Sequence, residues 1–173
     1  MANQQQVQLL QSGVEAWNLY RQAHPTVLVD LSDTDLSGAN LTGADLHRAD
    51  LSWANLNNVN LTMANLTDAN LINASLSAAI LTHANLTHAN LSGAVVIYPP
   101  IPASMQGADL TDAILVDTFL NGTDLSNANL TNANLTNANL SRVDLSGARV
   151  RKWQLAGART LERATMSDRA KHL

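Results

Sequence analysis

Apolar residues recur every fifth position through most of this chain. Leu31, Leu36, Leu41, Leu46 and Leu51 begin a series that runs to Val96, and it resumes through Leu110, Leu115, Leu120 and Leu125 to Leu145. Two residues before most of these positions stands an alanine, as at Ala39, Ala44, Ala49, Ala54, Ala64 and Ala69. The unit is Ala-(Asp/Asn)-Leu-(Ser/Thr)-X, and a fixed short period of this kind is the mark of a solenoid.

The period excludes the two regular elements. Five residues advance an α-helix by about 500°, so successive leucines step roughly 140° around the axis and form no stripe. In a flat strand an odd period throws alternate leucines onto opposite faces. The chain must therefore bend once per pentad, so that each Leu and the Ala two residues before it both point inward. A small residue between large ones fills a narrow axis to native density. The Asp/Asn, Ser/Thr and variable positions then face water, with Asn, Asp and Gly suited to the turns.

The runs Ala39-Asn40-Leu41-Thr42-Gly43, Ala44-Asp45-Leu46, Ala64-Asn65-Leu66-Thr67 and Ala133-Asn134-Leu135-Thr136-Asn137 closely resemble the pentapeptide repeat family. The resemblance implies an all-β solenoid, a right-handed quadrilateral parallel β-helix with four repeats per coil. Counting inward positions from Leu31 to Leu155 gives six to seven coils, ~31 Å of axis at the ~4.8 Å spacing of neighbouring strands.

A solenoid needs caps at both ends. Residues 1–28 read as an N-terminal cap, with Ser12-Gly13-Val14-Glu15 as a capping box that opens a helix over about 13–23. His24-Pro25 stops it, and Val14, Trp17 and Tyr20 share its sheltered side. The β-helix is expected over 29–155, with Leu155 its last regular core residue. Residues 156–173 read as an irregular basic cap and tail, with Ala164-Thr165-Met166 as one further distorted repeat. Trp153 fills a slot where Ala normally sits. Between Val96 and Leu110 lie fourteen positions, one short of three repeats, so a one-residue slip is expected near 97–105. On that reading Ile101 and Met105 both point inward, and residues nineteen apart stack across the slip. Pro99, Pro100 and Pro102 bring no N–H to any ladder, which makes this corner irregular.

Composition narrows the function classes. The chain has no cysteine, so disulfides and thiolate metal sites are excluded. No apolar run approaches the ~18 residues that cross a membrane, and the polar, Gln-rich N-terminus has no leader pattern, so a cytoplasmic location is the expectation. The charge is split: residues 30–145 hold eleven Asp against Arg48 and Arg142, a net charge of −9, whereas residues 146–173 carry +5. His83 and His88 take equivalent outward slots without a third ligand, and two imidazoles make no metal site. Asp50, Asp109 and Asp112 converge on no pocket, and the Ser and Thr residues follow the repeat without an orienting base. We therefore expect neither an enzyme nor a cofactor.

One group of outward residues breaks the polar pattern. With nineteen residues across the slip, Val95 stacks near Ile114, Ile97 near Val116, and Ile80 lines up with Phe119, with Tyr98 nearby. These seven residues form the candidate protein-binding surface, for an unidentified partner or for self-association. Direct nucleic-acid binding and membrane insertion are not expected. The family resemblance adds one alternative, since some pentapeptide repeat proteins bind DNA gyrase as acidic mimics of duplex DNA. A duplex carries about one charge per 1.7 Å of axis, roughly eighteen over this length. The body of this chain holds about half that. Its central residues are Leu rather than Phe, and its C-terminal region is basic.

Overall fold

The computed structural model describes residues 2–96 and 103–166. Each pentad closes a turn in which the Leu carbonyl accepts from the N–H three residues on, as Leu61 does from Ala64 at 3.0 Å. The third residue of each turn has positive φ, the requirement of a type II turn. Gly43 (φ 69) meets it freely, but so do Trp53 (φ 61), Met63 (φ 58) and Arg48 (φ 56). Where Asn or Asp precedes the Leu, it locks the bend: Asn65 Oδ1 accepts both the N–H and the hydroxyl of Thr67, at 3.2 and 2.7 Å. This Asx turn is why Asn or Asp before Leu is followed by Ser or Thr.

Successive turns stack through single-residue parallel bridges. Four columns of bridges alternate along the chain, so the coil has four sides, here called faces 1 to 4. They start at Asp30, Asp35, Asn40 and Asp45 respectively. Faces 1 and 4 hold six bridged residues each, and faces 2 and 3 hold seven. The leucines lie at the axis: Leu46, Leu66, Leu86 and Leu110 on face 4 are fully buried, with Ala44, Ala64, Ala84 and Ala108 packed between them.

Two departures from the sequence expectation follow from the bridges. Across the proline-bearing segment the register is twenty-four residues, not nineteen: Ile80 bridges Ser104, Val95 bridges Phe119 and Asn90 bridges Ile114. The inward Val96 of face 2 is thus followed by Met105 of face 3, and the coil that spans 97–102 is four residues longer than the twenty-residue coils before it. Prolines donate nothing to a ladder, and the ladder resumes where Ser104 N–H reaches the Ala79 carbonyl. The expected inward position of Ile101 lies outside the described residues. The second departure is at the C-terminal end. A short helix α3 (Lys152–Ala156) takes one extra residue, after which Asn139 bridges Thr160 and Asp144 bridges Thr165. Regular coil therefore extends past Leu155, into residues expected to be irregular cap.

The N-terminal cap is two helices, α1 (Gln4–Ser12) and α2 (Val14–Ala23). Ser12 does not cap α2. It ends α1, its hydroxyl donating to the Leu9 carbonyl, and Gly13 at φ 140 serves both helices through its backbone alone. Trp17 is fully buried; Val14 and Tyr20 pack partly against the same core.

Candidate functional site

The corrected register decides where the candidate residues stand. Phe119 lies directly over Val95 on face 2, between Ser75 below and Asn139 above. Ile114 is on face 1 of the same coil as Phe119, between Asn90 and Asn134. Val116 occupies the turn that joins them. Ile80 is on face 3, one coil below the level of Val95, and it stacks under Ser104 rather than Phe119. Val95 does not stack on Ile114. The five form an oblique strip around two corners instead of the two columns expected. Ile80 is 43% exposed and Ile114 39%, while Val95, Val116 and Phe119 are half-buried. Ile97 and Tyr98 lie outside the described residues.

Beneath Phe119 the interior changes. Thr118 and Thr123 replace the usual inward Ala, and both are buried. The Thr118 hydroxyl donates to the Leu115 carbonyl at 2.6 Å. Thr123 Oγ1 has no partner among the described residues. Both threonines were readable in the sequence as breaks in the Ala position.

Several exposed apolar residues outside the strip went unforeseen: Trp53 (65%), Met63 (68%), Leu19 and Leu28. Trp53 and Met63 sit at the left-handed turn position, where the side chain projects from a corner. A pattern built on Leu and Ala says nothing about that slot.

The charged side chains form ladders, not a cleft. On the corner between faces 4 and 1, Arg48 lies 3.6 Å from Asp68, and the His88 ring stands between Asp68 (3.3 Å) and Asp112 (3.7 Å). Its two nitrogens address different carboxylates, so the three do not converge on one point. Among the described residues no group of three His, Asp or Glu could hold a metal ion. Hydroxyl and N–H donation from Ser32, Ser37 and Ser146 holds the carboxyls of Asp30, Asp35 and Asp144 below their ordinary range. No helix among the described residues is long and apolar enough to cross a membrane.

The model of the pentapeptide repeats matches residues 27–62, 64–95, 103–142 and 123–159, in eight copies. The chain belongs to the pentapeptide repeat family. Solved pentapeptide repeat structures resemble it. A trypsin-treated form of QnrB1, a plasmid-mediated fluoroquinolone resistance protein, aligns over 82% of this chain and 80% of its own, at 18% identity and a TM-score of 0.52. HetL, involved in heterocyst differentiation regulation in the cyanobacterium Nostoc, aligns over 88% and 96% at 24% identity, TM-score 0.34. Rfr23 from the cyanobacterium Cyanothece aligns over 86% and 97% at 27% identity, TM-score 0.28. Comparison with curated proteins gives no match. The likeness to QnrB1 is one of fold.

Proposed function

We propose that this pentapeptide repeat chain is a non-enzymatic scaffold that binds a partner protein through the apolar strip Ile80, Val95, Ile114, Val116 and Phe119. The observation that carries the reading is the Val95–Phe119 bridge, an apolar pair in a column otherwise built of Asn, Asp, Ser and Thr. Apolar residues gathered on a polar surface and rimmed by amides mark a place where water is displaced by a partner. Among the described residues the axis is filled with Leu and Ala side chains, so the inside of the coil offers no space in which a nucleophile and base could be sheltered. The right-handed sense of the coil, favoured for parallel crossovers, and a cytoplasmic location belong to this reading.

Mimicry of duplex DNA toward DNA gyrase is the weaker alternative. The carboxylates on face 1 stop at Asp50 and give way to Asn70, Asn90 and Ile114, so no continuous anionic track runs up that face.

The test compares the native chain with the variant Ile114→Asn, Val116→Ser, Phe119→Ser as baits in the native cytoplasm. The strip is supported if a protein captured by the native chain is lost from the variant while both melt alike. Equal capture by both contradicts it, and inhibition of gyrase supercoiling by native chain and variant alike favours the alternative.

A further inference from the structure

The first coil of a solenoid exposes ladder groups that have no coil beneath them, and here the cap satisfies only half. On face 1 the Gln6 carboxamide accepts the Asp30 N–H at 2.9 Å and donates to the Leu28 carbonyl at 2.8 Å, and Asn3 N–H reaches the Asp30 carbonyl. On face 4 Asn18 does the same for Asp45 N–H and the Gly43 carbonyl, while Trp17 Nε1 takes the Asp45 carbonyl and Arg21 the His47 carbonyl. Among the described residues, faces 2 and 3 receive no hydrogen bond from the cap. Among the described residues, the N–H groups of Asp35 and Asn40 and the carbonyls of Asp35, Ser37, Asn40 and Thr42 have no partner. One coil up, the same groups of Asn55 and Asn60 are all engaged, for example Asn55 N–H with the Thr34 carbonyl.

This open edge borders a groove of about 430 Å³ between α1 and the first coil, lined by Val7, Gln11, Ser32, Asp33, Thr34 and Asp35. Its rim is anionic. Asp33 and Asp35 are exposed, and hydrogen bonds from Ser37 lower the Asp35 carboxyl below its ordinary range. An unpaired ladder edge is a template for an extended segment, and a negative rim selects a basic one.

We propose that this edge docks the basic segment Ser167–Leu173 of a second copy, so that chains associate head to tail. The segment carries Arg169 and Lys171 against Asp168, a net charge of +1 with His neutral, and an extended backbone presents the two cations on one side and Asp168 on the other. It follows Met166, beside the seventh bridged residue of face 3, Thr165. Six spacings of ~4.8 Å separate that level from the first coil, about 29 Å. Seven residues span at most ~24 Å, so the segment cannot reach the edge of its own chain. The contact joins two different surfaces, so it repeats from copy to copy and does not close into a symmetric pair. It uses neither the strip of the middle coils nor any residue in it.

Sedimentation velocity on the 173-residue chain tests this, in low and high salt over a range of concentrations. The association predicted grows with concentration at low salt and falls at least tenfold in affinity at high salt. The edge variant (Asp33→Asn with Asp35→Asn) and the segment variant (Arg169→Gln with Lys171→Gln) are each monomeric. Mixed, they form one-to-one dimers and nothing larger, because each supplies the surface the other has lost. Amide exchange at Asp35 and Asn40 is fast in the monomer and slows on association. A chain that stays monomeric at low salt overturns the proposal, as does an oligomer that both variants retain. An oligomer dispersed only by the Ile114, Val116, Phe119 substitutions would place self-association on the strip instead.

Discussion

Asn18 pairs with Asp45 as a missing coil would: its Oδ1 accepts the Asp45 N–H at 2.9 Å, while its amide nitrogen donates to the Gly43 carbonyl at 3.0 Å. Gln6 makes the equivalent pair on face 1. At the other end Gln154, buried within α3, donates to the Leu130 and Ala133 carbonyls at 2.7 and 2.9 Å. Three side-chain amides thus finish a backbone ladder that the coil alone leaves open.

These amides carry a measurable share of stability. Gln6→Ala or Asn18→Ala leaves a backbone donor and acceptor without partners at the cap, at a cost of about 1–3 kcal/mol each. Urea denaturation should show a lower midpoint for both, with the larger loss in the double variant. No change in midpoint would mean that the cap is held by Val7, Leu10 and Trp17 alone.

Inward and outward positions respond differently. Leu66 is fully buried at the axis, and Leu66→Asp places an uncompensated charge there, costing more than about 4 kcal/mol and unfolding the coils around it. Its neighbour Asn65 holds the Thr67 turn and donates to Asp45. Asn65→Ala should cost only about 1 kcal/mol. Thermal melts of the two variants give the comparison.

The paired threonines beneath the strip predict opposite signs. Thr123→Val removes a buried hydroxyl that has no partner among the described residues, and stability should rise by about 1 kcal/mol. Thr118→Val loses the bond to the Leu115 carbonyl and should cost a similar amount. Both volumes are conserved, so the difference isolates the hydroxyl.

Acid should weaken the fold through Asp30, Asp35 and Asp144. Serine hydroxyls and N–H groups lower the folded pKa of each, so on acidification the unfolded chain takes up protons first. Their stabilisation is complete above about pH 5, shrinks as pH falls through the unfolded value of about 3.9, and is gone below the folded values. Asp30→Asn with Asp144→Asn keeps the Asx turns, as Asn40 and Asn60 do elsewhere. Melting temperature against pH should therefore fall less steeply for this variant below pH 4, with little change at pH 7.

The leucine and alanine positions were legible because each faces a dry axis that admits little else. The register across 97–102 was not. Fourteen positions from Val96 to Leu110 fit a coil of nineteen residues or of twenty-four, and only the bridges Ile80–Ser104 and Val95–Phe119 choose between them. Helix α1 was missed because its buried side includes Gln6, a polar residue whose place is earned by the ladder groups of Asp30 and Leu28. Trp53 and Met63 were invisible for the reverse reason, since a left-handed corner open to water places no demand on the side chain.

The twenty-four-residue coil sets which residues share the strip. A disulfide test reads it directly in a chain with no native cysteine. Val95→Cys with Phe119→Cys places two thiols on adjacent coils of one column, within the Cα separation of about 4.4–6.8 Å that a disulfide bridges. Mild oxidation should cross-link this pair in the folded protein and leave Val95→Cys with Ile114→Cys reduced. Efficient cross-linking of the second pair and not the first would contradict the register, and with it the surface on which the proposed function stands.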